Sequence, residues 1–206
     1  MRFLLLTIAC IISNFFFGQL PANIFGDSVH APFYFGVTSG DPLANQVIIW
    51  SKISTTDSAE NIDWEISVYP DFSWLNNTGT FTTDATTDFT IKVDVTGLSP
   101  NTNYYYRFRD DQGRTSAVGK TRTAPLATDA IAHMRFAVVS CTSIYSGFFN
   151  GYKRISDRND LDFIMHLGDY IYDFVDSDEE VRVPVPYPSV PSNLQEWRDR
   201  HSYYLL

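Results

Sequence analysis

Cysteine is almost missing from this sequence: only two of its 206 residues carry a thiol, Cys10 and Cys141. That excludes a small scaffold stapled by disulfides. Positive charge is scarce too, with 15 Lys and Arg against 24 Asp and Glu, a formal net charge of −9 and a pI near 4.7. A chain of that sign is a poor general nucleic-acid binder, because phosphate recognition needs a positive surface. Low-complexity tracts are lacking, and hydrophobic residues (44%) outweigh charged ones (19%). A disordered tail, a coiled coil and a collagen-like repeat are thereby excluded. The amino-terminal apolar run is shorter than the about 20 residues a transmembrane helix needs.

What is present begins at that run. Arg2 precedes Phe3 to Ser13, then Asn14 and Phe15-Phe16-Phe17. A basic residue before an apolar run of roughly 7–15 residues is the pattern of a secretory signal peptide. Residues 1–22 are read as that signal, with cleavage after Gly18 or Ala22. No stable membrane span then remains, and the protein is expected in the periplasm or outside the cell. Cys10 either leaves with the signal or marks a lipoprotein, and Thr7-Ile8-Ala9 is a poor lead-in for the latter. The mature chain keeps one thiol, Cys141, which cannot form an internal disulfide and is inert, intermolecular or a ligand.

Residues 30–125 read as an all-β sandwich. Short β-type runs recur at Phe33–Val37, Gln46–Ser51, Trp64–Tyr69, Thr80–Thr83, Phe89–Val95, Tyr104–Arg109 and Ser116–Thr121, with Ser39-Gly40-Asp41-Pro42 as a turn. About seven strands at this spacing, several alternating apolar with polar, fit two packed antiparallel sheets. Thr96-Gly97-Leu98-Ser99-Pro100 leading to Tyr104 resembles the approach to the penultimate strand of fibronectin type III domains. There a corner tyrosine bonds back to the upstream backbone. Asn76-Asn77-Thr78 is a glycosylation triplet that matters only in a eukaryotic secretory host. The stretch from Thr123 to Ala130 reads as a linker.

From residue 131 the pattern changes. Arg135 to Ser140 is an apolar run of the kind that forms a buried parallel strand. Phe148, Tyr152 and Ile155 share one helical face, and Leu161 to Leu167 is a second apolar run ending at Gly168-Asp169. Strand, helix and strand make a βαβ unit. Cys141 and Asp169 then lie at the carboxyl ends of neighbouring parallel strands, where open α/β sheets place their ligands. Tyr172 and Asp173 follow on the same loop. A thiolate, a carboxylate and a phenolate there would need a cation, and a hard trivalent one such as ferric iron suits the oxygen donors best. The bland alternative remains open: a small buried Cys and a common Gly-Asp turn. His166, inside a strand, reads as a packed and hydrogen-bonded residue, and Asp173 as solvated or supporting.

Three of these segments, in this order, carry a resemblance. Ser39-Gly40-Asp41-Pro42 with Val47-Ile48-Ile49-Trp50, then Arg135 to Cys141, then Asp162 to Tyr172, resemble PhoD-type alkaline phosphatase/phosphodiesterases. The resemblance implies a fibronectin III/immunoglobulin-like N-terminal domain followed by a truncated α/β metallophosphoesterase domain of the calcineurin-like kind, over residues 131–206. It also implies hydrolysis of phosphate monoesters or diesters with Fe(3+) and Ca(2+). Carried over by position, Cys141, Asp169 and Tyr172 are iron ligands, and Asp169 can bridge to calcium. A cluster of that kind clamps the phosphate for in-line attack, with metal charge providing most of the stabilisation. The paired arginines of the family's twin-arginine leaders are lacking, so a Sec-type signal is expected.

After Asp173 come an acidic stretch, Asp176 to Glu180, and four prolines up to Pro191, a surface loop by composition. Ser192 and Gln195 then suggest a capping box for a last helix with Leu194, Trp197, His201 and Tyr204 on one face. Only two parallel strands of the catalytic sheet are expected here, and the family's later His-rich motifs have no counterpart. The chain is therefore read as an amino-terminal portion that is inactive alone. The alternative is a secreted sandwich acting as a binding or adhesion module with a vestigial catalytic stub.

Overall fold

The computed structural model describes residues 29–173 and 190–206. The signal-peptide reading of residues 1–22, the acidic stretch and Pro184, Pro186 and Pro188 lie outside the described residues. Seven antiparallel strands come first: β1 (Val37–Gly40), β2 (Gln46–Lys52), β3 (Ala59–Ser67), β4 (Asn77–Asp84), β5 (Thr90–Thr96), β6 (Asn103–Arg109) and β7 (Gly119–Arg122). They form one sheet in the order β1-β2-β5 and another in the order β4-β3-β6-β7. The period-2 pattern sets what faces inward. On β6 the buried residues are Tyr104, Tyr106 and Phe108, and on β2 Val47 and Ile49 alternate with more exposed neighbours. With Ile62, Ile66, Ile91 and Val95 they make a single core. Burying each such side chain favours folding by roughly 1.5–3 kcal/mol.

The corner tyrosine behaves as its sequence context suggests. The Ser99 N–H donates to the Tyr104 hydroxyl at 2.9 Å, and Tyr104 is buried. Gly119 is needed opposite Tyr106, its cross-strand partner, because a Cβ there would lie 2.2 Å from the Tyr106 ring.

Several boundaries differ from the sequence reading, each for a local reason. Phe33–Val37 is not a strand before Val37: the Phe33 amide donates to His30 O in a turn, although Phe33 and Phe35 are buried. Ser39 and Gly40 are paired with Ile49 and Ile48, so the turn starts only at Asp41, whose φ is +47°. Phe89 precedes β5 because Asp88 and Phe89 both have left-handed backbones. Ser116 lies before β7, its buried hydroxyl accepting from the Phe108 amide. Thr123 belongs to the sandwich rather than to a linker: it is buried, and its hydroxyl donates to Ser99 O at 2.6 Å.

Beyond the sandwich, β8 (Phe136–Val139), α1 (Asn150–Ser156) and β9 (Phe163–His166) follow, and β8 and β9 pair in parallel. These strands are not buried, contrary to expectation: Phe136 is 49% and Val138 51% exposed, with Ile164 and Met165 similar. Phe136, Val138 and Met165 share one face of the pair and Ile164 lies on the other, so both faces are half exposed, and Phe136 stacks on Phe163 with ring centroids 4.9 Å apart. The last helix, α2 (Leu194–Leu205), is capped by Asn193 and not by Ser192. Asn193 Oδ1 accepts from the Glu196 amide, while the Ser192 amide donates to the Glu196 carboxylate. Its buried residues are Arg200, Ser202 and Tyr204, whereas Leu194 and Trp197 are exposed.

Helix α2 leans on the sandwich. Lys52 Nζ donates to Ser202 Oγ and to Asp88, both at 2.6 Å, and Arg198 donates to Ala85 O and Thr86 O. On the other side, Arg122 of β7 pairs with Asp162 at 2.5 Å, and Asp162 also accepts from the Arg135 amide ahead of β8. The β8–β9 unit is thus tied to the sandwich through its own entry residues.

Candidate metal centre

The parallel pairing of β8 and β9 brings their carboxyl ends together, and cross-loop hydrogen bonds continue past the strands. The Leu167 amide donates to Val139 O, the Cys141 amide to Gly168 O and the Thr142 amide to Asp169 O. These bonds fix two facing turns. Gly168 has φ +112°, and Cys141 and Asp169 have φ +56° and +54°. A left-handed backbone costs a non-glycine residue roughly 1–2 kcal/mol. Two such residues side by side, held by the surrounding hydrogen bonds, mark the kind of position where strain accompanies function.

All three ligand positions named from the sequence converge here. Cys141 Sγ lies 3.6 Å from Asp169 Oδ2. The Tyr172 hydroxyl hydrogen-bonds the same Cys141 sulfur. That bond favours the neutral phenol and, with loss of hydration and the charges of Cys141 and Asp169, pushes the Tyr172 pKa up to about 12. Among the described residues no three His, Cys, Asp or Glu side chains converge. The Tyr172 phenol is the third polar group at this point. A thiol, a carboxyl and a phenol at one point fit a metal ion, since a bound cation reverses the crowding that otherwise keeps the phenol protonated.

His166 does what its sequence context suggests. Its Nδ1 accepts from the Gly168 amide at 3.2 Å, so the neutral ring carries its proton on Nε2 and donates it to Thr142 Oγ1 at 3.2 Å. Thr142 in turn shares a 2.5 Å hydrogen bond with the Tyr152 hydroxyl of α1. Both imidazole nitrogens are engaged in holding the two turns. An open crevice of about 740 Å³ borders the site, lined by Cys141, Thr142, Ser143, Phe148, Phe149 and Tyr172.

Three supporting residues escape a reading of the sequence alone. Thr142 is an unremarkable residue beside the cysteine. Arg200 and Tyr204 lie roughly thirty positions beyond Tyr172, yet they bond its backbone. The sequence signals Tyr204 as part of one helical face, and Arg200, four positions before it, shares that side of the helix.

The comparisons with known proteins agree in two places along the chain. Residues 20–125 match the family described as PhoD-like phosphatase, N-terminal domain, and residues 136–206 match PhoD-like phosphatase. Alkaline phosphatase D of Bacillus subtilis (strain 168) is 32% identical over 192 residues, covering 84% of this chain and 31% of that protein. The solved structure of PhoD superposes with a TM-score of 0.79 at 32% identity, over 84% of this chain and 35% of that one. The chain thus spans about a third of the length of these relatives. The matches together cover both the sandwich and the βαβ unit: this chain belongs to the PhoD-like phosphatase family.

Proposed function

We propose that this chain carries the amino-terminal part of an exported, metal-dependent phosphoric ester hydrolase acting on phosphate monoesters or diesters. One observation supports the reading above others. A thiol, a carboxylate and a phenol meet at the carboxyl ends of two parallel strands, with Cys141 Sγ 3.6 Å from Asp169 Oδ2 and Tyr172 on the same sulfur.

In this reading Cys141, Asp169 and Tyr172 would hold a ferric ion, with Asp169 able to serve calcium as well. Such ions, when bound, supply positive charge opposite the phosphoryl oxygens. To act as ligands, Cys141 and Tyr172 would each have to release a proton. The left-handed turns at Cys141 and Asp169 hold their side chains in place beforehand, so little ordering remains to be done. Thr142, committed to His166 and Tyr152, stiffens the turn beside Cys141 and does not reach for the ester. Phe148 and Phe149 give the organic part of the ester an apolar wall. Residues 1–22 direct the protein out of the cytoplasm by a Sec-type route. Among the described residues three donors converge, too few for a two-metal centre, and the 206 residues alone are expected not to turn over substrate.

The test is iron content together with hydrolysis of an aryl phosphate in the full-length protein. Cys141→Ala is expected to remove both, and unchanged iron and turnover overturn the reading. Robust turnover by the 206-residue chain overturns the statement that it is inactive alone.

A further inference from the structure

Both backbone polar groups of Tyr172 are held by one helix. The Tyr172 amide donates to the Tyr204 hydroxyl at 3.0 Å, and the Tyr172 carbonyl accepts from Arg200 Nη1 at 3.0 Å. The same Tyr204 oxygen lies 3.5 Å from the Ile144 amide, three residues after Cys141. Arg200 is 1% exposed, and its guanidinium lies over the Tyr145 ring at 5.9 Å. One phenol oxygen and one guanidinium therefore touch both loops that carry the metal donors. The helix itself is braced from outside the site, by Lys52 on Ser202 and by Arg198 on the carbonyls of Ala85 and Thr86.

We propose that Tyr204 and Arg200 are positioning residues for the metal centre: α2, braced on the sandwich, grips the Tyr172 backbone and sets where its phenol meets Cys141 and Asp169. The inference rests on the reading of Tyr172 as a metal ligand. It gives the sandwich a task in the chemistry, as the fixed support against which a ligand is aimed. Groups that orient a metal ligand without touching the metal commonly change affinity by about 10–100-fold when removed.

The test is a ferric-ion titration of the full chain, followed by tyrosinate-to-iron charge-transfer absorption and by the exchange rate of the Tyr172 amide without metal. Tyr172→Phe is expected to abolish the absorption band. Tyr204→Phe keeps the ring and removes only the acceptor oxygen. It is expected to weaken ferric-ion binding at least about tenfold, to shift the band, and to speed exchange of the Tyr172 amide by a similar factor. An unchanged band and affinity in Tyr204→Phe, beside a lost band in Tyr172→Phe, overturn the positioning role and leave the ligand assignment standing. A band that survives Tyr172→Phe overturns both. Should Tyr204→Phe fail to fold, the pair Arg198→Ala and Ser202→Ala removes the hydrogen bonds that brace α2 on the sandwich, with both tyrosines intact. The same weakening is then expected, and wild-type affinity overturns the proposal.

Discussion

Cys141 and Asp169 face each other across adjacent strand ends, sulfur to Oδ2 at 3.6 Å, and each has a left-handed backbone, φ +56° and +54°. Neither residue type favours that conformation as glycine does. The two strained turns are held by the bonds from Cys141 N–H to Gly168 O and from Thr142 N–H to Asp169 O. The site is thus shaped by the backbone before any ligand arrives, at a cost to stability that a function must justify.

That cost is measurable at Cys141. In metal-free protein, Cys141→Gly is expected to leave stability unchanged or to raise it by up to about 1 kcal/mol, as the strain is relieved. Cys141→Val adds a β-branched side chain at the same φ and is expected to cost more than about 1 kcal/mol. Urea denaturation of both variants checks this, and a valine variant as stable as the glycine variant would show an unstrained turn.

Replacing the sulfur alone isolates its contribution to metal binding. Cys141→Ser keeps a small polar side chain but trades a soft thiolate for a weakly acidic hydroxyl. Iron retained after dialysis of the full-length protein is expected to fall at least about tenfold, comparable to the loss of other metal-site groups. Metal analysis of the dialysed variant is the measurement, and wild-type iron content counts against Cys141 as a ligand.

The brace under α2 contains a largely buried ion pair. The Lys52 and Asp88 side chains are 8% and 22% exposed. Removing one partner strands a buried charge, which costs several kcal/mol in a fully buried pair. Asp88→Asn keeps the shape and tolerates the left-handed φ of +56°, so its expected cost of about 2–3 kcal/mol reflects charge loss. Adding Lys52→Met should restore much of it. A urea-denaturation cycle over the four proteins tests this, and a single-variant loss under about 0.5 kcal/mol would show the pair to be solvated.

His201 predicts a pH dependence. Burial, and secondarily the Lys52 charge, hold its pKa below the ordinary 6.5, while Asp88 opposes them more weakly. Trp50 and Tyr170 are the neighbouring rings. As pH falls below about 6.5, the unfolded chain takes up the proton first, so the folded state loses stability over that window and regains it as pH rises. Asp199, raised mainly by burial, acts in the opposite direction in a more acidic window above 3.8. Unfolding at pH 7.5 and 5.5 should therefore show a drop that His201→Gln reduces, and an equal drop in that variant would assign it elsewhere.

Two glycines separate packing from propensity. A Cβ at Gly119 would meet the Tyr106 ring, whereas one at Gly151 in α1 would meet nothing within 4 Å. Gly119→Ala is expected to cost about 1–3 kcal/mol by overpacking. Gly151→Ala is expected to add about 0.5–1 kcal/mol through helix propensity. Melting curves that place both on the same side of wild type would contradict this.

Much of this protein was legible in its residues. Alternation along Asn103–Arg109 determines which tyrosines face the core, because successive side chains leave a strand on opposite faces. Two apolar runs flanking a helical segment place Cys141 and Asp169 at one sheet edge by topology alone. Local chemistry of this kind acts over a few residues, and the sequence displays it directly. Only the tertiary structure decided that Thr142, Tyr152 and His166 form one hydrogen-bonded chain behind the site. It also decided that Arg200 and Tyr204 reach back to Tyr172, and that Lys52 and Asp88 carry the helix that does so. Those contacts join residues 10 to 150 positions apart, and no periodicity encodes them. They depend on how finished elements pack, a balance of burial and charge pairing that exists only once the chain has folded.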